Sequence, residues 1–476
     1  MIDPTAATAC ETLRPRGPNP PHSHSPKLLQ GIEFAFFRRR AMKNWIGRYG
    51  NVFGINVPFF GHTVIVSDPA LARSVCTAGT EQLVNVQPNL SNLFGPGSIF
   101  ALDGHRHHDR RRLLAPAFHG TRLKHYERLI EDETLRESAN WPENKEFRIL
   151  EPMNRITLNV ILRIAFGTHG TDGPDGTDGP DGTDGPDGTD GPDGPDGTDG
   201  TDRPEMAELR RIIPRYMRLG QLIAFVPPPR FWPGRQSPWS RMHRRTFDRI
   251  VFTMIDRAQT DPCLDDRTDI LALLLRASRD GGTAMSRRDI CDELLTFISA
   301  GHETTASALG WMFERLRRHP DVLADLVAEV DEGGSDLRRA AILELLRVRT
   351  VLDVAGRRVR APYFELGGWR IPQHRTVLVR IADLHQDHEI YSCPDQFDPY
   401  RFYGSKPPPS AWLAFGGGAR RCLGADFALT EMDVVLRTVL RHFRIQTDAA
   451  PDEKSHFRGI AHTPKSGARI VVNRRK

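Results

Sequence analysis

The sequence predicts a mainly α-helical fold with a small β part, built as a single large domain around one long central helix. Three observations carry this. Ser286 to His319 is an uninterrupted helical stretch of 34 residues, which at 1.5 Å per residue spans about 50 Å, the width of a whole domain. Its middle, Leu294 to Phe313, is apolar nearly all round, as a helix surrounded by protein must be. The alternating stretches that read as strands are short and join at Gly and Pro.

In chain order, residues 1–27 are rich in Pro, His and Ser and lack the apolar core of a secretory signal, so they read as a flexible leading segment of a cytoplasmic protein. Val52 to Val57 and Thr63 to Val66 alternate as strands. Met153 to Phe166 carries Ile156, Leu158, Ile161, Ile164 and Ala165 at helical spacing. In the long helix, Ser286 with Asp289 three residues on forms an N-terminal capping pattern, and Pro320 ends it. Asp321 to Glu332 and Leu337 to Arg349 continue helical, with a short link between them. Tyr363 to Val379 reads as strands, and Phe427 to Phe443 as an apolar-periodic helix. The domain runs over 28–472, and 473–476 is a basic tail.

One segment breaks the pattern. Between Thr168 and Asp202 Gly recurs at every third position from Gly170 to Gly200, with eleven Asp and no Lys, Arg or Glu. The triplets are acidic and short of proline, unlike collagen, and lack the apolar position of calcium-binding nonapeptides. The stretch reads as a disordered acidic loop. Setting it aside leaves 49 acids against 65 bases, so the formal charge rises from +5 for the chain to +16 for the remainder. Such a surface favours an acidic partner, protein or nucleic acid. No run of 18 apolar residues exists, so no membrane span is expected. Of six scattered cysteines, without a CxxC pair, five read as small buried hydrophobes.

The sixth, Cys422, carries chemistry. Phe415-Gly-Gly-Gly-Ala-Arg-Arg-Cys422-Leu-Gly424 leads directly into a helix. Glycines permit positive φ and close backbone approach, the helix N-terminus favours a thiolate, and Arg420 offers a cation to a carboxylate of a bound group. The sulfur is then a nucleophile, which needs a base that the neighbouring sequence does not supply, or a lone metal ligand, which suits haem.

The pattern of Phe415, Gly418, Arg420, Cys422 and Gly424 resembles the haem-thiolate loop of cytochrome P450. Three further motifs follow the family's order. Ala300-Gly301-His302-Glu303-Thr304-Thr305 resembles its oxygen-activation motif. There the Thr304 hydroxyl reaches the carbonyl of Ala300 four residues back, displacing the helical bond. Gly301 leaves space for a bulge or a diatomic, and Glu303 relays protons. Glu344 and Arg347 match its ExxR pair, joined by Arg401 in Phe397-Asp-Pro-Tyr-Arg401-Phe402 as a structural network behind the cysteine. His107 and Arg111, four apart on one helical face, resemble its propionate-binding pair, with Pro116 and Phe118 following. Arg357 stands where the family often places another such arginine, and neighbouring Arg358 leaves that register open.

The resemblance departs at the repeat, at the short link before the ExxR helix and at Thr350, where the family usually has proline. It implies haem b held by Cys422, with Glu303 and Thr304 catalytic and His107, Arg111, Arg357, Phe415, Arg420 and Gly424 against the cofactor. It further implies a monooxygenase inserting one oxygen of O2 into an apolar substrate, with electrons from a separate ferredoxin or flavodoxin and its reductase. A haem-thiolate sensor and a peroxide-driven oxidase are the alternatives; no nucleic-acid module is visible. Pocket walls are expected from Val86 to Ile99, Leu219 to Val226, Leu295 to Ser299 and the strands after Val351.

Overall fold

The computed structural model describes residues 19–58, 60–86, 90–167, 204–224, 238–279, 285–458 and 461–475. The glycine repeat, and parts of the expected pocket walls at 87–89 and 225–226, lie outside these residues.

The central helix runs Arg287–Arg318. Ser286 accepts from the Asp289 amide while Asp289 accepts from the Ser286 amide, a reciprocal cap that satisfies two orphan N–H groups at its start. Ile290 to Ser299 and Thr305 to Leu316 are buried throughout. The helix Leu150–Phe166 packs along it, with Ala425–His442, Asp336–Val348 and Pro238–Gln259 around it. Together they enclose the main hydrophobic core, which includes Ile156, Ile161, Leu294, Ile298, Leu309, Phe313 and Val435.

Gly301 shows why a glycine stands in this contact. A Cβ there would meet the Ile161 side chain at 3.0 Å. Its small size serves close helix–helix packing, and the helix passes through unbroken, without the bulge that the sequence reading allowed beside room for a diatomic.

Charges are buried along the same seam. Arg110 meets Glu293 at 2.6 Å, and Arg244 meets Asp292 at 2.6 Å. These pairs fasten the central helix to the helix Gly104–Leu114 and to Pro238–Gln259. Burial pushes the Glu293 carboxyl up to about 7, with Arg110 opposing.

The β part is one five-stranded sheet and four two-stranded ladders among the described residues. In the sheet, Val52–Val57 pairs antiparallel with Gly61–Val66, and Thr376–Arg380 returns parallel to Gly61–Val66. Val354–Val359 then pairs with Thr376–Arg380 and Leu83–Asn85 with Val354–Val359. Side chains alternate across the sheet. Phe53, Ile55 and Ile65 pack on Met42 and Trp45 of the N-terminal helices, whereas Val64 and Val66 face Ala72, Val75 and Leu366.

Two boundaries and the burial of two cysteines differ from the sequence reading. The leading segment, expected flexible to residue 27, is docked from Pro21: Gly54 N–H donates to the Pro21 carbonyl and Ser23 N–H to Gly54. The basic tail is likewise held, with Val472–Arg474 paired to Phe443–Ile445 and Arg475 Nη2 2.6 Å from Asp331. Of the cysteines expected to be buried, Cys76 and Cys291 are, while Cys263 and Cys393 are exposed and Cys10 lies outside the described residues. Polar loops carry these two, where no apolar periodicity draws them inward. The short link before the ExxR helix is accommodated by Gly333, which ends Pro320–Glu332 in the left-handed conformation, φ 79°.

Candidate functional site: a cysteine loop beside a cationic cradle

Cys422 leaves a turn closed by its own amide, which donates to the Phe415 carbonyl at 2.8 Å. Gly416 and Gly418 both have positive φ, 67° and 61°. At Gly418 a Cβ would stand 1.9 Å from the Cys76 carbonyl oxygen. The close approach demanded by the glycines is thus made to the backbone at Cys76–Thr77. Gly424 caps the helix Ala425–His442.

The residue Cys422 is exposed, yet enough protein surrounds its sulfur to push the thiol up. Burial acts against the thiolate, while the Gly424 N–H at the helix start, Arg421 and Arg111 act the other way.

The helix Gly104–Leu114 divides its HRHHDRRR run by face. His105, Arg106, His108 and Arg112 are exposed, whereas His107 and Arg110 are buried. Arg111 Nη1 donates to the Arg421 carbonyl at 2.7 Å, tying this helix to the cysteine loop. Arg357 approaches from the sheet, where its strand places it opposite Asn85. Arg357 is among the cations that push His107 down, and Asp103 opposes the lowering of Arg357 itself.

Three guanidinium groups and the His107 imidazole therefore converge. Burial first, then Arg420, Arg111 and Arg357, push His107 down to about 3, leaving it neutral. Burial and the same neighbours lower Arg420 to about 10, still charged at neutral pH. Arg111 and Arg357 are lowered as well, chiefly by burial. Asp103, bonded to Arg420, is the acid that answers Arg420 and Arg357. One carboxylate against three guanidinium groups leaves the cluster short of negative charge.

Behind the loop, Glu344 and Arg347 are fully buried and joined twice, Nε to Oε2 at 2.8 Å and Nη2 to Oε1 at 2.7 Å. Arg347 also donates to the carbonyls of His385, Pro394 and Gln396. Arg401 Nε reaches Glu344 Oε1 at 3.3 Å. From this helix the Leu343 carbonyl accepts from Trp412 Nε1 at 3.1 Å, and Trp412 stands edge-on to Phe415 at 5.9 Å. The buried pair thus reaches the cysteine turn through two aromatic rings.

On the central helix Thr304 Oγ1 donates to the Ala300 carbonyl at 2.8 Å, the bond its spacing predicts. Glu303 is buried, and Arg458 Nε from the strand Ser455–Arg458 lies 3.4 Å from its Oε1. Phe118 links Phe297 of this helix to Phe427 of the helix after Cys422, at 5.3 and 6.2 Å between rings.

The Cytochrome P450 family matches residues 18–470. The chain belongs to the cytochrome P450 family. A sequence designated cytochrome P450 138 in Mycobacterium tuberculosis is 51% identical over 473 residues, covering 99% of both chains. One designated cytochrome P450 135B1 from the same organism is 35% identical over 462 residues, 94% of this chain and 90% of that one. Among solved structures, retinoic acid-bound cyanobacterial CYP120A1 superposes with a TM-score of 0.77 at 22% identity, covering 96% of this chain and 100% of that one. That likeness shows the fold.

P450 proteins bind haem and are generally haem-thiolate monooxygenases. The residues present fit the group. Two propionates would supply the negative charge that His107, Arg111, Arg357 and Arg420 lack, and Cys422 offers a thiol on the same loop as Arg420.

Sequence reasoning passed over Asp103, Arg458, His385 and Glu431. Glu431 had a signal: it lies four residues after Phe427 on the apolar face of its helix. Burial there pushes its carboxyl well above the ordinary range, with Thr305 offsetting part. No helix among the described residues is long and apolar enough to cross a membrane.

Proposed function

We propose that this cytochrome P450 is a monooxygenase that hydroxylates or epoxidises an apolar small molecule, using O2 and electrons from a separate ferredoxin or flavodoxin fed by a reductase. The observation that carries the reading is the uncompensated cationic cradle of His107, Arg111, Arg357 and Arg420 beside Cys422. Cys422 as thiolate would hold the iron of haem b and the cradle would hold its propionates, and the group would supply the oxidising chemistry when bound.

The chain's own residues do the rest. His107 would donate a hydrogen bond to one propionate while Arg111, Arg357 and Arg420 would neutralise the propionate charge. The Glu344–Arg347–Arg401 network keeps the Cys422 turn from relaxing. Thr304 holds its hydroxyl proton toward the Ala300 carbonyl, and Glu303 beside it accepts and returns protons near the reacting oxygen. Arg458 holds Glu303 in place for that exchange. Leu295, Phe297 and Ile298 present buried apolar surface to a substrate. Ser299 Oγ, buried without a partner among the described residues, would meet a polar atom of that substrate.

Retention of Glu303 with Thr304 supports O2 with electrons over a peroxide-driven oxidase or a ligand sensor. Exposed Arg112 and Arg421, on the two elements that carry Arg111 and Cys422, suit an acidic electron carrier.

The test is the absorption of the purified protein, reduced and exposed to carbon monoxide. A strongly red-shifted Soret band that is lost in Cys422→Ser is the expected result. A folded, haem-supplied protein without haem, or Cys422→Ser with the unchanged band, overturns the assignment.

A further inference from the structure

The helix Lys27–Phe36 has two apolar faces. Gln30, Gly31 and Phe34 turn inward, and Phe34 joins Met42, Trp45, Phe53 and Ile55 in a closed core. The other face carries Leu28 at 78% exposure, Leu29 at 45%, Ile32 at 42% and Phe36 at 79%, and Phe37 follows at 60%. Residues 28, 32 and 36 lie four apart, one stripe along the helix. Five of the twelve large apolar side chains exposed among the described residues fall within these ten positions. Scattered surface leucines need no explanation, but a contiguous stripe marks a contact.

The stripe is presented rigidly. At the end of the helix Arg38 Nη1 lies 3.0 Å from both oxygens of Asp353, and its guanidinium covers the rings of Phe34 and Phe457. At its start Gln30 Nε2 donates to the Ser23 carbonyl and Gln30 Oε1 accepts from the Asn56 amide at 2.6 Å. Cations flank it: residues 27–43 hold Lys27, Arg38, Arg39, Arg40 and Lys43 against the single acid Glu33. Lys27, Arg40 and Lys43 are exposed.

We propose that this face docks on an anionic lipid surface, the apolar stripe entering the headgroup–acyl boundary and the flanking cations meeting lipid phosphates. Charge selects the occupant. A second copy on the same face would set two net positive segments against each other. Residues 1–18 offer only Met1, Ile2 and Leu13 as large apolar side chains, too few to cover the stripe. Apolar side chains beside unneutralised cations suit a surface with both hydrocarbon and phosphate. The inference concerns where the protein sits, and stands apart from the haem reading.

The experiment is co-sedimentation of the full chain with vesicles of phosphatidylcholine, with and without about 30 mol % phosphatidylglycerol. The expected result is binding to the anionic vesicles and weaker binding, by on the order of tenfold, to the neutral ones or in high salt. The double variants Phe36→Ser/Phe37→Ser and Arg40→Glu/Lys43→Glu change exposed side chains, so thermal unfolding should be unaltered. Each should lower partitioning by at least about tenfold. A wild-type chain that stays in the supernatant with both vesicles overturns the proposal, as do variants that bind like wild type. A solution dimer that Phe36→Ser/Phe37→Ser splits, without vesicle binding, assigns the face to a second copy and overturns it as well.

Discussion

His385 Nδ1 and Thr350 Oγ1 are hydrogen-bonded at 2.7 Å, joining the segment after the ExxR helix to the approach to the cysteine loop. The other ring nitrogen accepts from the Leu413 amide at 3.0 Å, so Nδ1 carries the proton and donates to Thr350. The Thr350 hydroxyl passes its own proton to the Arg347 carbonyl at 2.9 Å. Thr350, which stands where the family usually has proline, thereby acquires a role that proline could not perform.

This geometry predicts a pH dependence. Burial first, then Arg347, push His385 down to about 3, whereas in the unfolded chain the histidine titrates near the ordinary 6.5. Between those values the unfolded state binds the extra proton, so stability rises with pH. The contribution is complete above about 6.5 and is lost as pH falls toward about 3. His385→Asn should flatten the slope of unfolding free energy in that window by up to one proton's worth, about 1.4 kcal/mol per pH unit. Denaturant unfolding at a series of pH values measures it; parallel curves for the two proteins would remove His385 as a source.

The ExxR pair makes a second prediction. Glu344 and Arg347 are both fully buried and share two hydrogen bonds, so removing either charge leaves the other without a partner. Glu344→Gln or Arg347→Met should cost about 3–5 kcal/mol. Because Trp412 couples this helix to Phe415, each variant should also release haem more readily than wild type. Transfer of haem to an acceptor protein, followed optically, reads the second effect; unaltered retention in a destabilised variant would confine the pair to folding.

Two glycines of the cysteine turn separate conformation from contact. Gly416 has φ 67° with nothing within 4 Å of an added Cβ, whereas Gly418 has φ 61° and the Cys76 carbonyl at 1.9 Å. Gly416→Ala should therefore cost only the left-handed penalty, about 1–2 kcal/mol. Gly418→Ala should cost that and a backbone displacement besides, about 3 kcal/mol or more. Equal destabilisation of the two would mean that the loop does not press on the Cys76 backbone.

The main helices were legible because their periodicity and caps are local. The predicted Ser286–Asp289 cap and Thr304–Ala300 bond are both present. The His107 face, the ExxR pair and the cysteine turn were legible as motifs. Contacts between distant segments were not. Asp103 meets Arg420 across 317 residues, and Arg458 reaches Glu303 from a strand that no spacing ties to the central helix. The packing of Gly301 on Ile161 was not legible, because Ile161 lies on another helix.

Thr304 offers the sharpest test of proton handling. Its hydroxyl is held by the Ala300 carbonyl, and the unbroken helix around it does not depend on that bond. Thr304→Ala should fold, take up haem and give the same reduced carbon monoxide spectrum as wild type. With a surrogate ferredoxin and reductase, and an apolar substrate that wild type turns over, it should still consume reducing equivalents. Product formed per electron pair should nevertheless fall by on the order of tenfold or more, within the range that a positioned proton-transfer group contributes. Thr304→Ser, which keeps the hydroxyl, should recover most of the coupling. Equal coupling in wild type and Thr304→Ala would take the hydroxyl out of the proton path and leave Glu303, held by Arg458, to act without it.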